Sequence, residues 1–205
     1  MFEYFFTRIS AAFKNKVDLY RMGTFYYEGK YVPKDYRKAT QYLQQAVNKK
    51  YTKALYYLGL IELEKSGSAI DLALALRYFL LSKNEEPRAI EAINHLEAKI
   101  LELPITEDNT ALLFKIGYMY ANDVIIGLSV PKAVTFYELA ASRDHHYART
   151  ELAKLLTKSR PGITKDLPRA KALLELPVQA GFSPAIIAMQ DLLTAHPELK
   201  TTNDN

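Results

Sequence analysis

The sequence predicts an all-α protein, an α-solenoid of stacked antiparallel helix hairpins with about four to five units, one of them incomplete. Three observations predict it. One motif recurs four times: "DYRKATQYLQQAV" from residue 35, "DLALALRYFLLSK" from 71, "SVPKAVTFYELAA" from 129 and "DLPRAKALLELPV" from 166. A second recurs in phase with it, a bulky residue followed by Gly or Ala: Met22–Gly23, Leu58–Gly59, Ile116–Gly117 and Leu152–Ala153. The spacing is also regular: Gly23 to Gly59 and Gly117 to Ala153 are each 36 residues apart, Asp35 to Asp71 is 36, and Ser129 to Asp166 is 37. A hairpin of that length cannot bury its apolar faces alone, so its neighbours must stack against it.

Taken in order, the chain opens on "MFEYFFTRISAAFKNK" (1–16), where Phe2, Phe5, Phe6, Ile9 and Phe13 fall on one helical stripe. The stripe predicts a capping helix packed on the body, with a membrane-surface helix as the competing reading. Glu3 and Arg8 interrupt any secretory signal, and no stretch approaches 18 apolar residues, so no spanning segment is expected. Residues 17–102 form the first sub-array. Its A-type helices are centred on Gly23 and Gly59, and its B-type helices follow Asp35 and Asp71. Asp or Ser at the head of each B motif suits an N-cap, where the side-chain oxygen accepts from a first-turn amide. Gly in a helix interior costs roughly 1 kcal/mol against Ala, so its recurrence predicts a close approach by a neighbouring backbone. "PRAIEAINHLEAKILEL" (87–103) reads as an A-type helix without a following B helix; Pro104 stops it and Thr106–Asn109 restarts one. Residues 109–196 form the second sub-array, and the polar tail 197–205 is expected to be disordered.

Composition narrows the function classes. The 205 residues contain no Cys, which excludes a disulfide framework, Cys-based zinc sites and thiol catalysis, and fits a cytoplasmic location. The net charge of +4 is dispersed, which argues against nucleic acid as a ligand, and "NKKYTK" (48–53) reads as a solvated turn. "SRDHHYA" (142–148) brings Asp144, His145 and His146 together. Adjacent helical His residues point about 100° apart and share an ion poorly, so the segment reads as a B-to-A turn. The carboxylate pairs Glu62–Glu64 and Glu85–Glu86 read as surface groups with no partner implied. No phosphate-cradling or nucleophile-elbow motif is present, so neither an enzyme nor a cofactor is expected.

The stretch "LYRMGTFYYEGKYVPKDYRKATQYLQQAV" resembles the Sel-one-like repeat, a relative of the tetratricopeptide repeat, with Tyr31 in place of the unit's second Gly. "YARTELAKLLTKSRPGITKDLPRAKALLELPVQAG" resembles it as well, with Ala153 for the helical Gly and Pro177 for an Ala. The resemblance covers about residues 17–195 and is weak over 66–70 and 89–127. It implies an α-solenoid whose concave face, lined by A helices, serves as an adaptor surface in protein complexes, often in bacteria. In that register Tyr26 and Tyr120 are core, whereas Tyr20, Tyr27, Tyr56, Phe114 and Tyr118 line the groove with Lys53 and Lys154 beside them. Tyr gives rigid contact area and a hydroxyl at low entropic cost, which suits peptide or protein recognition.

The expected function is therefore a non-catalytic interaction scaffold holding a peptide or partner protein. The alternative is a membrane-associated regulator docking through residues 1–16. The family's occurrence in bacterial pathogens leaves delivery into a host cell open.

Overall fold

The computed structural model describes Phe5 and residues 15–65, 67–125 and 127–200. Most of the N-terminal aromatic stripe, including Phe2, Phe6, Ile9 and Phe13, lies outside these residues. Ten α-helices are described: α1 Lys16–Glu28, α2 Tyr36–Asn48, α3 Ala54–Leu63, α4 Ala69–Ser82, α5 Arg88–Leu101, α6 Glu107–Asn122, α7 Val130–Ala141, α8 His146–Leu156, α9 Leu167–Gln179 and α10 Ser183–Ala195. The expected all-α architecture of helix hairpins is what the chain adopts, and none of these helices is long and apolar enough to cross a membrane. Contacts group the chain into two units, Met1–Ile100 and Leu101–Asn205. In the first, α1 pairs with α2 and α3 with α4, while α2 and α1 also pack on α3. In the second, α6 pairs with α7 and α8 with α9; α7 packs on α8, and α10 closes against both α9 and α8.

Each hairpin is keyed at its recurring small residue. A Cβ placed on Gly23 would sit 2.5 Å from Leu43 Cγ, one on Gly59 2.6 Å from Phe79 Cε1, and one on Gly117 2.6 Å from Tyr137 Cδ1. The body that approaches is chiefly a side chain, not the backbone that the helical glycine suggests; only Gly23 also meets a backbone atom, Ala39 O at 3.3 Å. In each case the partner is the second of two adjacent bulky residues on the B helix, Tyr42–Leu43, Tyr78–Phe79 and Phe136–Tyr137, and Leu43, Phe79 and Tyr137 are fully buried.

The caps explain where the B helices begin. Asp35 Oδ1 accepts from the Lys38 amide at 2.9 Å and Asp166 Oδ1 from the Arg169 amide at 3.0 Å. Asp71 departs from this pattern. Helix α4 starts earlier, capped by Ser68, whose Oγ accepts from the Asp71 amide at 3.2 Å, while the Asp71 carboxylate accepts from the Ser68 amide. With Ser and Asp three residues apart, the reciprocal capping box satisfies two orphan amides instead of one. Ser129 heads α7 without any side-chain cap bond. Asp35→Ala is therefore expected to cost about 1 kcal/mol and Ser129→Ala close to nothing, measurable as the difference between their urea midpoints.

Three of the four A-to-B loops share a backbone clip. The amide of Asp35 donates to Tyr26 O, that of Ser129 to Tyr120 O and that of Asp166 to Leu156 O, each at 2.9 Å. Tyr26, Tyr120 and Leu156 each stand three residues beyond the small residue of their A helix. One bond thus ties the start of the B helix to the end of the A helix whatever the loop contains. Beyond α10, Pro197–Leu199 form a single 3-10 turn, and Lys171 Nζ donates to Leu199 O at 2.8 Å.

Candidate functional site

In the first unit, α1 and α3 carry an interlocked set of tyrosines. Tyr20 meets Tyr51 and Tyr57 edge to face, with centroids at 5.2 and 5.8 Å. Tyr27 meets Tyr57 at 5.3 Å and Tyr36 at 5.7 Å, and Tyr56 meets Tyr57 at 5.5 Å and Phe79 at 5.7 Å. Tyr57 joins them all and is itself buried, its hydroxyl donating to Glu28 Oε1 at 3.2 Å. Burial raises the pKa of the Tyr20 and Tyr57 hydroxyls and pushes Tyr27 up to about 12, so these rings remain neutral donors at physiological pH.

A charged brace adjoins the tyrosines. Arg88 lies over the Tyr56 and Tyr57 rings, at 4.7 and 5.6 Å from their centroids, and forks onto Glu86 with bonds of 2.8 and 3.0 Å. Lys53 reaches the same carboxylate at 3.5 Å. Glu86 is buried and its pKa is lowered, first by the Arg88 hydrogen bonds and then by the charges of Arg88 and Lys53, against the opposing effect of burial. This corrects the surface reading of the carboxylate pairs. Glu86 is a buried anchor, and Glu62 is also buried, paired with Lys65 at 2.6 Å; Glu64 and Glu85 are the exposed members. Burying a carboxylate is costly unless it is paired, and both buried ones are.

In the second unit Phe114 on α6 stacks on His145 at 4.8 Å and on Tyr137 at 5.9 Å. Tyr118 and Tyr147 flank it at 6.2 and 5.8 Å, and Tyr147 stands edge-on to Phe182 at 4.7 Å. Phe114 is half-buried, while Tyr118 and Tyr147 are 52% and 51% exposed. Lys154 is also exposed, paired with Glu151 one helical turn away at 2.8 Å.

Of the residues singled out from sequence, Tyr20, Tyr27, Lys53 and Tyr56 thus meet in one cluster of the first unit, all half-buried. Phe114 and Tyr118 meet in the second unit. The sequence reading passed over Tyr57, Glu86, Arg88 and Tyr147. Tyr57 was detectable as a tyrosine next to the assigned Tyr56, whereas Tyr147 lies in the segment read as a turn and nothing local marks Glu86 as buried.

The His pair lies in the expected B-to-A turn. Asp144 there adopts a positive φ of 61° and pairs with Arg149 at 2.7 Å. His145 caps α8, its Nδ1 accepting from the Ala148 amide at 3.2 Å. Only the neutral ring can accept that bond, and burial, aided by the charge of His146, lowers the His145 pKa. A base whose folded pKa is depressed contributes stability above its unfolded value of about 6.5, and that stability is lost as pH falls through the folded value. Thermal melts at about pH 5 and pH 7.5 are therefore expected to show the second unit weakened in acid. His145→Asn, which keeps an acceptor but does not titrate, should flatten that dependence.

The Sel1 repeat family profile matches residues 18–51, 52–85, 111–145 and 146–176. These are the hairpins α1–α2, α3–α4, α6–α7 and α8–α9, and they leave α5 and α10 outside any matched repeat. No curated protein matches in sequence. Among solved structures, a protective antigen of uropathogenic Escherichia coli displaying an SLR fold aligns at 18% identity and a TM-score of 0.40. That alignment covers 94% of this chain but only 44% of the antigen. A Sel1 repeat protein from Oxalobacter formigenes aligns at 22% identity and a TM-score of 0.40, covering 95% of this chain and 84% of its own length.

Proposed function

The chain belongs to the Sel1 repeat family, and from that premise we propose that it is a non-catalytic scaffold binding a peptide or partner protein on the aromatic faces of its A helices. Repeats of this family generally mediate protein interactions. The observation that carries the reading is the pair Tyr118 and Tyr147, each half exposed over a shared Phe114 floor. Exposed tyrosines held rigid from beneath lose little entropy on binding and supply the aromatic anchors in which interface energy concentrates. The tyrosines of the first unit offer a second aromatic face, more buried, with Arg88 over the Tyr56 ring and Lys53 on the Glu86 carboxylate that Arg88 shares. Among the described residues no three His, Asp or Glu side chains converge as a metal site would require.

The test is affinity capture from native lysate with mass spectrometry, using the wild-type chain and Tyr118→Ala/Tyr147→Ala as paired baits. A protein held by the first and lost by the second supports the reading. Identical retention by both baits moves the site elsewhere, and no specific retention by either overturns the scaffold assignment.

A further inference from the structure

The loop 123–129, between α6 and α7, has an unusual surface. Val124 is 77% exposed, Ile125 80% and Leu128 55%. The fold does not require these aliphatic side chains. The loop is closed by the Ser129-to-Tyr120 clip, turned at Gly127 with φ +88°, and steadied by Asp123 Oδ1 accepting from the Ile125 amide at 3.0 Å. Apolar residues in the corresponding loops are less exposed: Tyr31, at 44%, sets its ring edge-on to Phe25 at 5.0 Å, and Val32 and Ile163 are half-buried. Three aliphatic side chains exposed together are a cost in water unless something apolar receives them.

The neighbouring loop gives the chemistry of the receiver. Gly162 in loop 157–166 lies against Pro131 at the start of α7, so close that an added Cβ would be 2.4 Å from Pro131 Cγ. The two loops therefore share one edge of the second unit. Loop 157–166 exposes Lys158, Arg160 and Lys165. Lys158 and Arg160 have no ion-pair partner among the described residues, while Glu198 lies toward Lys165. The acidic residues within the two loops accept backbone amides, Asp123 from Ile125 and Asp166 from Arg169.

From this juxtaposition, protruding Val124, Ile125 and Leu128 beside basic Lys158 and Arg160, we propose that this edge docks on an anionic lipid bilayer. A protein partner would have to supply a pocket matched to these exposed aliphatics. A bilayer needs no such match, since its interface takes aliphatic side chains while its headgroups attract the flanking cations. The inference is independent of the scaffold reading and adds a place where the scaffold would be held.

The test is co-sedimentation of the full chain with vesicles of phosphatidylcholine alone and with about 30% phosphatidylserine, at about 0.1 M and about 0.5 M salt. Wild-type protein is expected to partition onto the anionic vesicles at low salt only. Lys158→Ala/Arg160→Ala should lower that partition about 30-fold, at roughly fivefold per cation, and Ile125→Ser/Leu128→Ser at least about tenfold, with unchanged circular dichroism. Absence of partition overturns the proposal, as does partition indifferent to both variants. Loss on Phe2→Ser/Phe6→Ser with both loop variants binding as wild type would also overturn it, by placing the contact in the N-terminal stripe.

Discussion

Gly59→Leu is expected to lower the melting temperature by about 6–12 °C. The ring that would meet the new side chain belongs to Phe79, which has no exposed surface. A Cβ alone would already stand 2.6 Å from it. Overpacking a well-filled site costs about 1–3 kcal/mol, and a fully buried neighbour puts this case near 3. For a chain of this size each kcal/mol moves the midpoint roughly 2–4 °C. Gly23→Leu and Gly117→Leu should behave alike, against Leu43 and Tyr137. The cause can be isolated with Gly59→Leu/Phe79→Ala: if collision is the mechanism, the double variant is less destabilised than the two single changes summed. Additive losses would mean that Gly59 is needed for some reason other than room.

Tyr118→Ala/Tyr147→Ala is expected to weaken binding of a captured partner at least about 30-fold, roughly 2 kcal/mol, while the melting temperature stays within a few degrees. Half of each side chain is already in water, so truncation removes little packing. Tyr20→Ala should show the opposite balance. That ring is half-buried between Tyr51 and Tyr57, and its loss should appear first as lost stability in the first unit. Gln41→Ala/Gln44→Ala, exposed on α2, should leave affinity unchanged. A titration alongside circular dichroism separates these cases, and wild-type affinity in the Tyr118/Tyr147 variant would remove this face from the interface.

These contrasts mark what was legible in the sequence. The keying of the hairpins was, because Gly23, Gly59 and Gly117 and their bulky partners recur at fixed spacing and each obeys the same local packing demand. The caps were legible where Asp stands alone, at Asp35 and Asp166. At α4, Ser68 and Asp71 are both competent caps, and the choice rests on a reciprocal pair of bonds that single-position matching cannot weigh. The candidate site was less legible. The resemblance to the repeat family implied a common register for Tyr20, Tyr27, Tyr56 and Tyr118, but not which of them bear weight in the fold and which stand free. Glu86 was out of reach, because its burial depends on Lys53 at the head of α3 and Arg88 at the start of α5, a tertiary meeting with no periodic signal.

The backbone clip separates two duties that a loop usually combines. Because one amide-to-carbonyl bond joins the helix ends, the residues between them are released from holding the hairpin together. The seven residues 29–35 and the longer 157–166 have Gly, Pro, Lys and a closing Asp in common, whereas the seven residues 123–129 are mostly aliphatic, yet all three end in the same bond. Each loop is thus a socket open to sequence change, and lengthening one costs only slowly growing closure entropy. A lineage could rewrite Val124–Leu128 without disturbing Gly117 or Tyr137, and a designer could graft a recognition sequence there on the same terms.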